Sequence, residues 1–359
     1  MCRGLAAVLV VISHCVRASE HQDSPESVSW FIRIFDIGSF AVVVFLALSG
    51  VSLCLSSAYL KGQVIALQPR KLVEFYVKRV CRIWPAFFVS LLAYLVFREI
   101  FRTYHNEISG HWIEAQFLAE YTLVDLLSYL LLVNNFLGTP ELFNNAYWSL
   151  PIEFQYYIFF PFFILALKSC GIRVLVLIGA SIFLLRYCVP ENYTLLFTLA
   201  PAFVGGIIAA HIYRVSSIRI PLKASILLCT AIIALASCLT HVWHDELPIP
   251  ILGELWVQYV LLSVLTVFLL LIAVGEVAAL PRKVLHFLGE ISFSVYLFHN
   301  LFVGIIYLLL SDHTGLPGTQ RFFVIFPFTL LCTLAISTLV YRYVEKPFIA
   351  LGSRYTFRT

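Results

Sequence analysis

The chain has 359 residues, of which 61% are hydrophobic and 12% charged, with a net charge of +4 and a mean hydropathy of +0.92. A soluble domain needs about a quarter of its residues charged to wet its surface, so this composition excludes one and predicts a polytopic membrane protein. The basic excess follows from how Lys and Arg are shared between the two sides of a membrane, and it makes no case for a nucleic-acid partner. The nine cysteines are scattered through apolar stretches without a CxxC, so they read as buried small hydrophobes, neither a disulfide framework nor a metal site.

Ten apolar stretches are long enough to span, near 3–18, 36–59, 82–97, 147–167, 173–189, 195–212, 224–242, 253–275, 288–310 and 322–343. An eleventh apolar run, 121–137, is ambiguous by length alone. If it does not cross and the N-terminus is cytoplasmic, eighteen of the 24 Lys and Arg residues fall inside, every lysine among them. If it did cross, every later loop would change sides and the basic loops after residue 167 would lie outside, against the positive-inside rule. The expectation is therefore an all-α, polytopic membrane helix bundle of ten crossings, with both termini cytoplasmic and 121–137 re-entrant or on the outer surface. The whole of 1–359 reads as one integral-membrane domain with no fused soluble domain. The longer loops are an outer stretch from Arg98 to Ala146 and a basic inner one from Leu60 to Lys78.

The first span, RGLAAVLVVISH, holds Arg3 and His14 in an otherwise apolar run. Eleven helical steps of 100° return to within about 20° of the start, so the two side chains share one stripe, roughly 16 Å apart along the axis. Ionisable groups inside a membrane are costly and mark function. A cleavable secretory signal, with Arg3, an apolar run and Val16-Arg17-Ala18, is a competing reading of the same residues.

Further along, FYVKRVCRIWP puts Arg79 and Arg82 one helical turn apart at an inner boundary, where two guanidiniums can grip phosphates; ordinary positive-inside anchoring is the plainer alternative. NNAYWSLPIE opens a span with Tyr147 and Trp148 at the interface, Ser149 following, and Pro151 tolerated in a first helical turn. Glu153 then sits one to two turns below the outer boundary, suited either to acid–base work or to a bond with a neighbouring helix. In LGEISFSVYLFHN, Ser292, Tyr296 and His299 align on one face and carry polarity to about mid-membrane, as a lined cavity would require. In YVEKPF, Glu345 is expected to pair with a basic residue and Pro347 to end the last helix.

Taken in order, RGLAAVLVVISH, GSFAVVVFLALSGVSLCLS, FYVKRVCRIWP, NNAYWSLPIEFQYYIFFP, LGEISFSVYLFHN and YRYVEKPF resemble the integral-membrane acyltransferase family 3, the bacterial O-antigen and exopolysaccharide O-acetylases. The resemblance covers nearly the whole chain and argues that the first helix is retained. It implies a membrane O-acyltransferase that takes an acyl group from cytoplasmic acyl-CoA, commonly acetyl-CoA, to a hydroxyl of an extracytoplasmic or lipid-linked glycan. No tightly bound cofactor is implied, and acyl-CoA is the donor substrate.

By resemblance, the catalytic residues are His14, Glu153 and Arg3, with Arg79 and Arg82 binding the donor. Trp148, Ser149, Ser292, Tyr296 and His299 line the cavity. His14, paired with Glu153, would deprotonate the acceptor or carry the acyl group. Family members usually carry more residues before the first Arg, and many have a soluble hydrolase-like domain after the last helix. Without it, acceptor binding falls to membrane loops or a separate extracytoplasmic partner. The expected setting is multi-pass in the cell inner (plasma) membrane among its lipids, with the oligomeric state left open. The rival reading is a transporter or flippase for a glycan or lipid-linked substrate, which would favour broken helices and repeated halves.

Overall fold

The computed structural model describes residues 2–20, 28–56, 68–104, 112–137, 142–190, 193–215, 222–242, 259–261, 263–264, 266, 282–310 and 316–354. Among these the chain is helical, with no strand. That follows from the composition, because in hydrocarbon every backbone N–H and C=O must find its partner within the segment. The helices are α1 (Cys2–Ser19), α2 (Trp30–Arg33), α3 (Gly38–Ser56), α4 (Pro69–Tyr104), α5 (Trp112–Leu118), α6 (Leu123–Leu130), α7 (Ser149–Leu184), α8 (Thr194–Thr198), α9 (Ala200–Val215), α10 (Leu222–Val242), α11 (Arg282–Leu310), α12 (Gly318–Val340) and α13 (Lys346–Arg354).

Seven helical segments among the described residues are long and apolar enough to cross a membrane. The protein is therefore a multi-pass membrane protein. One of the seven, Asn145–Cys188, runs for 44 residues, about twice the length that a bilayer core demands. It is interrupted at Gly171, with φ 82° and ψ −179°. A Cβ at Gly171 would meet nothing within 4 Å, so the left-handed backbone alone calls for glycine there. Lys168 and Arg173 flank the break, and its two sides correspond to the expected spans 147–167 and 173–189. The expected span 224–242 coincides with the 21-residue helix α10, whereas 253–275 lies largely outside the described residues.

The ambiguous run 121–137 contains the eight-residue α6 and a three-residue 3-10 turn at Asn134–Phe136; α6 is about 12 Å long and far too short to span. Thr122 starts it with a reciprocal capping box to Asp125, and Leu132 follows at φ 55°. Its Leu123, Val124 and Leu127 are exposed, as suits a short helix lying in an interface.

Two expectations need correction. The basic stretch ending at Lys78 is not all loop, because α4 begins at Pro69 and runs for 36 residues; proline suits a first helical turn, where its missing N–H is not needed. Pro347 does not end a helix either. A π-helical turn over Tyr341–Glu345 leads into α13, and Pro347 stands in the first turn of that new segment, where it leaves no bond broken.

The described chain divides into two compact units. The first comprises Met1–Ala6, Ser39–Tyr76 and Ile152–His286, and the second Ala7–Gly38, Val77–Pro151 and Phe287–Thr359. In the first unit α3 and α9 meet backbone to backbone. A Cβ on Gly206 would lie 2.0 Å from the Ala47 carbonyl oxygen, and one on Gly50 would lie 2.4 Å from that of Phe203. Small residues permit this approach, which in lipid replaces the hydrophobic effect as the source of helix–helix attraction. Tyr156 stacks on Phe203 and Phe75 on Phe160 around the contact.

In the second unit, Phe117 of α5 stacks between Tyr94 and Phe101 of α4, at 4.6 and 4.8 Å between centroids. Glu114 of the same short helix is buried and accepts from the Tyr307 hydroxyl at 3.3 Å. The stretch expected as a long outer loop thus contributes a packed layer to this unit.

Candidate functional site

In the first unit, Arg3 donates from Nη2 to Ser49 Oγ at 2.9 Å and to Ser52 Oγ at 3.1 Å. Ser49 and Ser52 stand three apart on α3, so both hydroxyls project from one face of an otherwise apolar helix. The Ser49 hydroxyl donates to Glu153 Oε1, and the Tyr157 hydroxyl donates to that same oxygen. Tyr157 also lies 3.2 Å from Ser49 Oγ.

A guanidinium and a carboxylate are therefore joined through one hydroxyl that accepts from the first and donates to the second. Each of the two groups thereby finds hydrogen-bond partners within otherwise apolar helices. Tyr157 is four residues after Glu153, one helical turn along the same face.

In the second unit, His14 and His299 are in edge-to-face contact, with ring centroids 4.9 Å apart. Asn300 lies beside His14. Asn300 Nδ2 donates to Asn144 Oδ1 at 3.0 Å, while Asn144 Nδ2 donates to the Leu297 carbonyl at 2.9 Å. Asn144 Oδ1 further caps the turn before α7 by accepting from the Ala146 N–H. The Tyr296 hydroxyl donates to the Ala146 carbonyl at 2.7 Å and lies 2.7 Å from Ser149 Oγ. Ser90 Oγ donates to the Leu297 carbonyl and pairs with the Tyr147 hydroxyl at 2.6 Å. These bonds tie the entry of α7 to the middle of α11, which fixes the height of both imidazoles.

The residues flanking His14 are anchored as well. Asp36 accepts from Ser13 and, at 3.1 Å, from Arg17 Nε. Gly38 lets the chain pass close to Ser13, because a Cβ there would come within 2.6 Å of Ser13 Oγ. Val10, Val11, Cys15 and Val16 are buried. Helix α1 is thus packed through most of its length, and its first turn supplies Arg3 to the other unit's network.

Arg79 and Arg82 lie one turn apart on α4, each half-buried. Arg82 acts electrostatically on Glu345, which also accepts from Ser294. Among the described residues Glu345 forms no ion pair with Arg82, so the expected salt bridge is replaced by the Ser294 hydrogen bond, and Glu345 is buried within the π-helical turn. Trp148 is half-buried in the turn before α7. Ser292 bonds back to the Gly289 carbonyl of its own helix at 2.9 Å, so its hydroxyl serves α11 itself.

Expected site residues thus gather in two networks. Arg3 joins Glu153, while Ser149, Tyr296, His299 and His14 share a second cluster. Sequence reasoning missed Ser49, Ser52, Tyr157, Asn144 and Asn300. Each had a signal: an unexplained polar residue in an apolar span, placed three or four positions from another or next to one already singled out.

The family model described as "Acyltransferase domain" matches residues 1–342. The chain belongs to that acyltransferase family. Over 203 residues this family member is 26% identical to an "O-acetyl transferase" of Shigella phage Sf6, a match that covers 55% of this chain and 54% of the phage protein. It spans about half the length of that curated relative. No solved structure matches the acyltransferase-family chain.

Proposed function

We propose that the protein is a membrane O-acyltransferase that moves an acyl group, acetyl in the first instance, from cytoplasmic acyl-CoA to a hydroxyl of an extracytoplasmic or lipid-linked glycan. The observation that carries this reading is the family match over residues 1–342, and the name of the phage relative supports acetyl and oxygen as donor group and acceptor atom. Buried polar networks around Arg3, Glu153 and His14 are what such chemistry needs inside apolar helices.

In this reading Arg79 and Arg82 hold the phosphates of CoA at the cytoplasmic face of the inner membrane. His14 takes the proton of the acceptor hydroxyl or carries the acyl group in transit, and an imidazole, which can change charge near neutral pH, suits either task. Arg3 and Glu153, linked through Ser49, supply the paired polar groups of the site. Asn300, held by Asn144, packs beside the His14 ring.

Purified protein given acetyl-CoA and a glycan extract is expected to release free CoA in step with acetylation of the glycan. Movement of glycan across vesicles with no CoA released would overturn the proposal in favour of a transporter. An acyl label trapped on His14 would show that the group passes through the imidazole.

A further inference from the structure

The His299 imidazole is held by the backbone of its own helix. Its Nδ1 lies 2.8 Å from the Tyr296 carbonyl oxygen. A carbonyl only accepts, so Nδ1 must be the protonated nitrogen and Nε2 must carry the lone pair. That Nε2 is buried and has no hydrogen-bond partner among the described residues. A buried basic nitrogen left unmet is costly. The tautomer is held by the backbone of its own helix, and the Tyr296 side chain is held in turn by Ala146 and Ser149. The other ring in contact is His14. The charged group acting on His14 is Arg17, whose charge Asp36 neutralises across 3.1 Å.

We propose that His299 is the proton-sharing partner of His14 in acyl transfer, a role that rests on the acyltransferase reading above. The acceptor O–H bond breaks as its oxygen bonds the thioester carbonyl carbon. The proton is then held by the two imidazoles as one proton and one positive charge. When the C–S bond breaks, the thiolate of CoA takes that proton and leaves as the free thiol. His299 acts through His14 and is a positioning residue for the proton, with no contact to substrate required of it. Two rings in contact, one with a fixed lone pair, spread the charge of an imidazolium that a single buried ring would hold at greater cost.

The test is His299→Asn in the purified full chain, with acetyl-CoA and a glycan extract as probes. Asparagine keeps a donor for the Tyr296 carbonyl, so the anchoring of α11 survives, but it offers no basic nitrogen at the Nε2 position. The expected result is a fall in kcat of about 100-fold, with the KM for acetyl-CoA within about twofold of wild type. His299→Gln, which supplies polarity without basicity at that depth, is expected to behave alike and covers the case in which the first variant fails to reach the membrane. A kcat within about threefold of wild type in whichever variant is membrane-inserted overturns the inference alone. Wild-type protein that releases no CoA overturns the acyltransferase reading and this inference with it.

Discussion

Ser49 is the residue of the first network that joins Arg3 to Glu153. It accepts from Arg3 and donates to Glu153, so its removal leaves a guanidinium and a carboxylate each short of a partner in a low-dielectric setting. Hydrogen bonds to charged groups are worth about 1.5–3 kcal/mol, which is roughly a 10- to 100-fold change. Ser49→Ala is therefore expected to lower transfer by that factor in a CoA-release assay. Tyr157→Phe, which removes one of two donors to the same oxygen, should cost less, near the lower end. Equal activity of both variants with wild type would show that the network only supports the fold.

Arg3, Glu153 and His14 were legible in the sequence because charge inside an apolar run is conspicuous. Ser49 and Tyr157 were not, because a serine or a tyrosine in a membrane helix is common and its importance depends on which helix lies opposite. That choice of neighbour is a matter of three-dimensional packing, on which spacing within a single helix is silent.

Elements show the same division between local and long-range causes. Gly171 breaks α7 through its own backbone angles, and the flanking Lys168 and Arg173 already placed a boundary there. Gly206 is different, because nothing local demands glycine in the middle of α9. Its requirement comes from the Ala47 carbonyl oxygen, 2.0 Å from where a Cβ would stand, on a helix more than 150 residues earlier in the chain.

Gly206→Ala forces α3 and α9 apart, and overpacking of this kind costs about 1–3 kcal/mol. The expected outcome is a lower midpoint in thermal unfolding of the detergent-solubilised protein, while Gly171→Ala perturbs the turn without a clash. An unchanged midpoint in Gly206→Ala would contradict the close approach. Pro347 shows how a local rule fails for a physical reason. A proline stops a helix only when its missing N–H would have been used, and the π-helical turn before it places Pro347 where a new helical segment starts.

At the scale of the whole molecule, composition alone was sufficient for the class. With 61% hydrophobic residues there is no soluble alternative, and the structure answers with seven span-length apolar helices among the described residues. The non-spanning nature of 121–137 followed from charge bookkeeping in loops far from it, and the eight-residue α6 agrees. Two compact units each bury a polar network, one organised around Arg3 and Glu153, the other around His14 and His299. Helix α1 contributes to both: Arg3 belongs to one unit and His14 to the other. That shared use explains why the pair stands on a single short helix, which sequence reasoning saw as a stripe but had no means to divide between networks.

In the proposed reaction, acyl transfer depends on the His14 imidazole. The most direct measurement follows label from acetyl-CoA into glycan in membranes that carry wild-type protein or His14→Ala at equal abundance. The account predicts labelled glycan from the wild type and a loss of at least about 100-fold in the variant. Equal labelling by the two would contradict it.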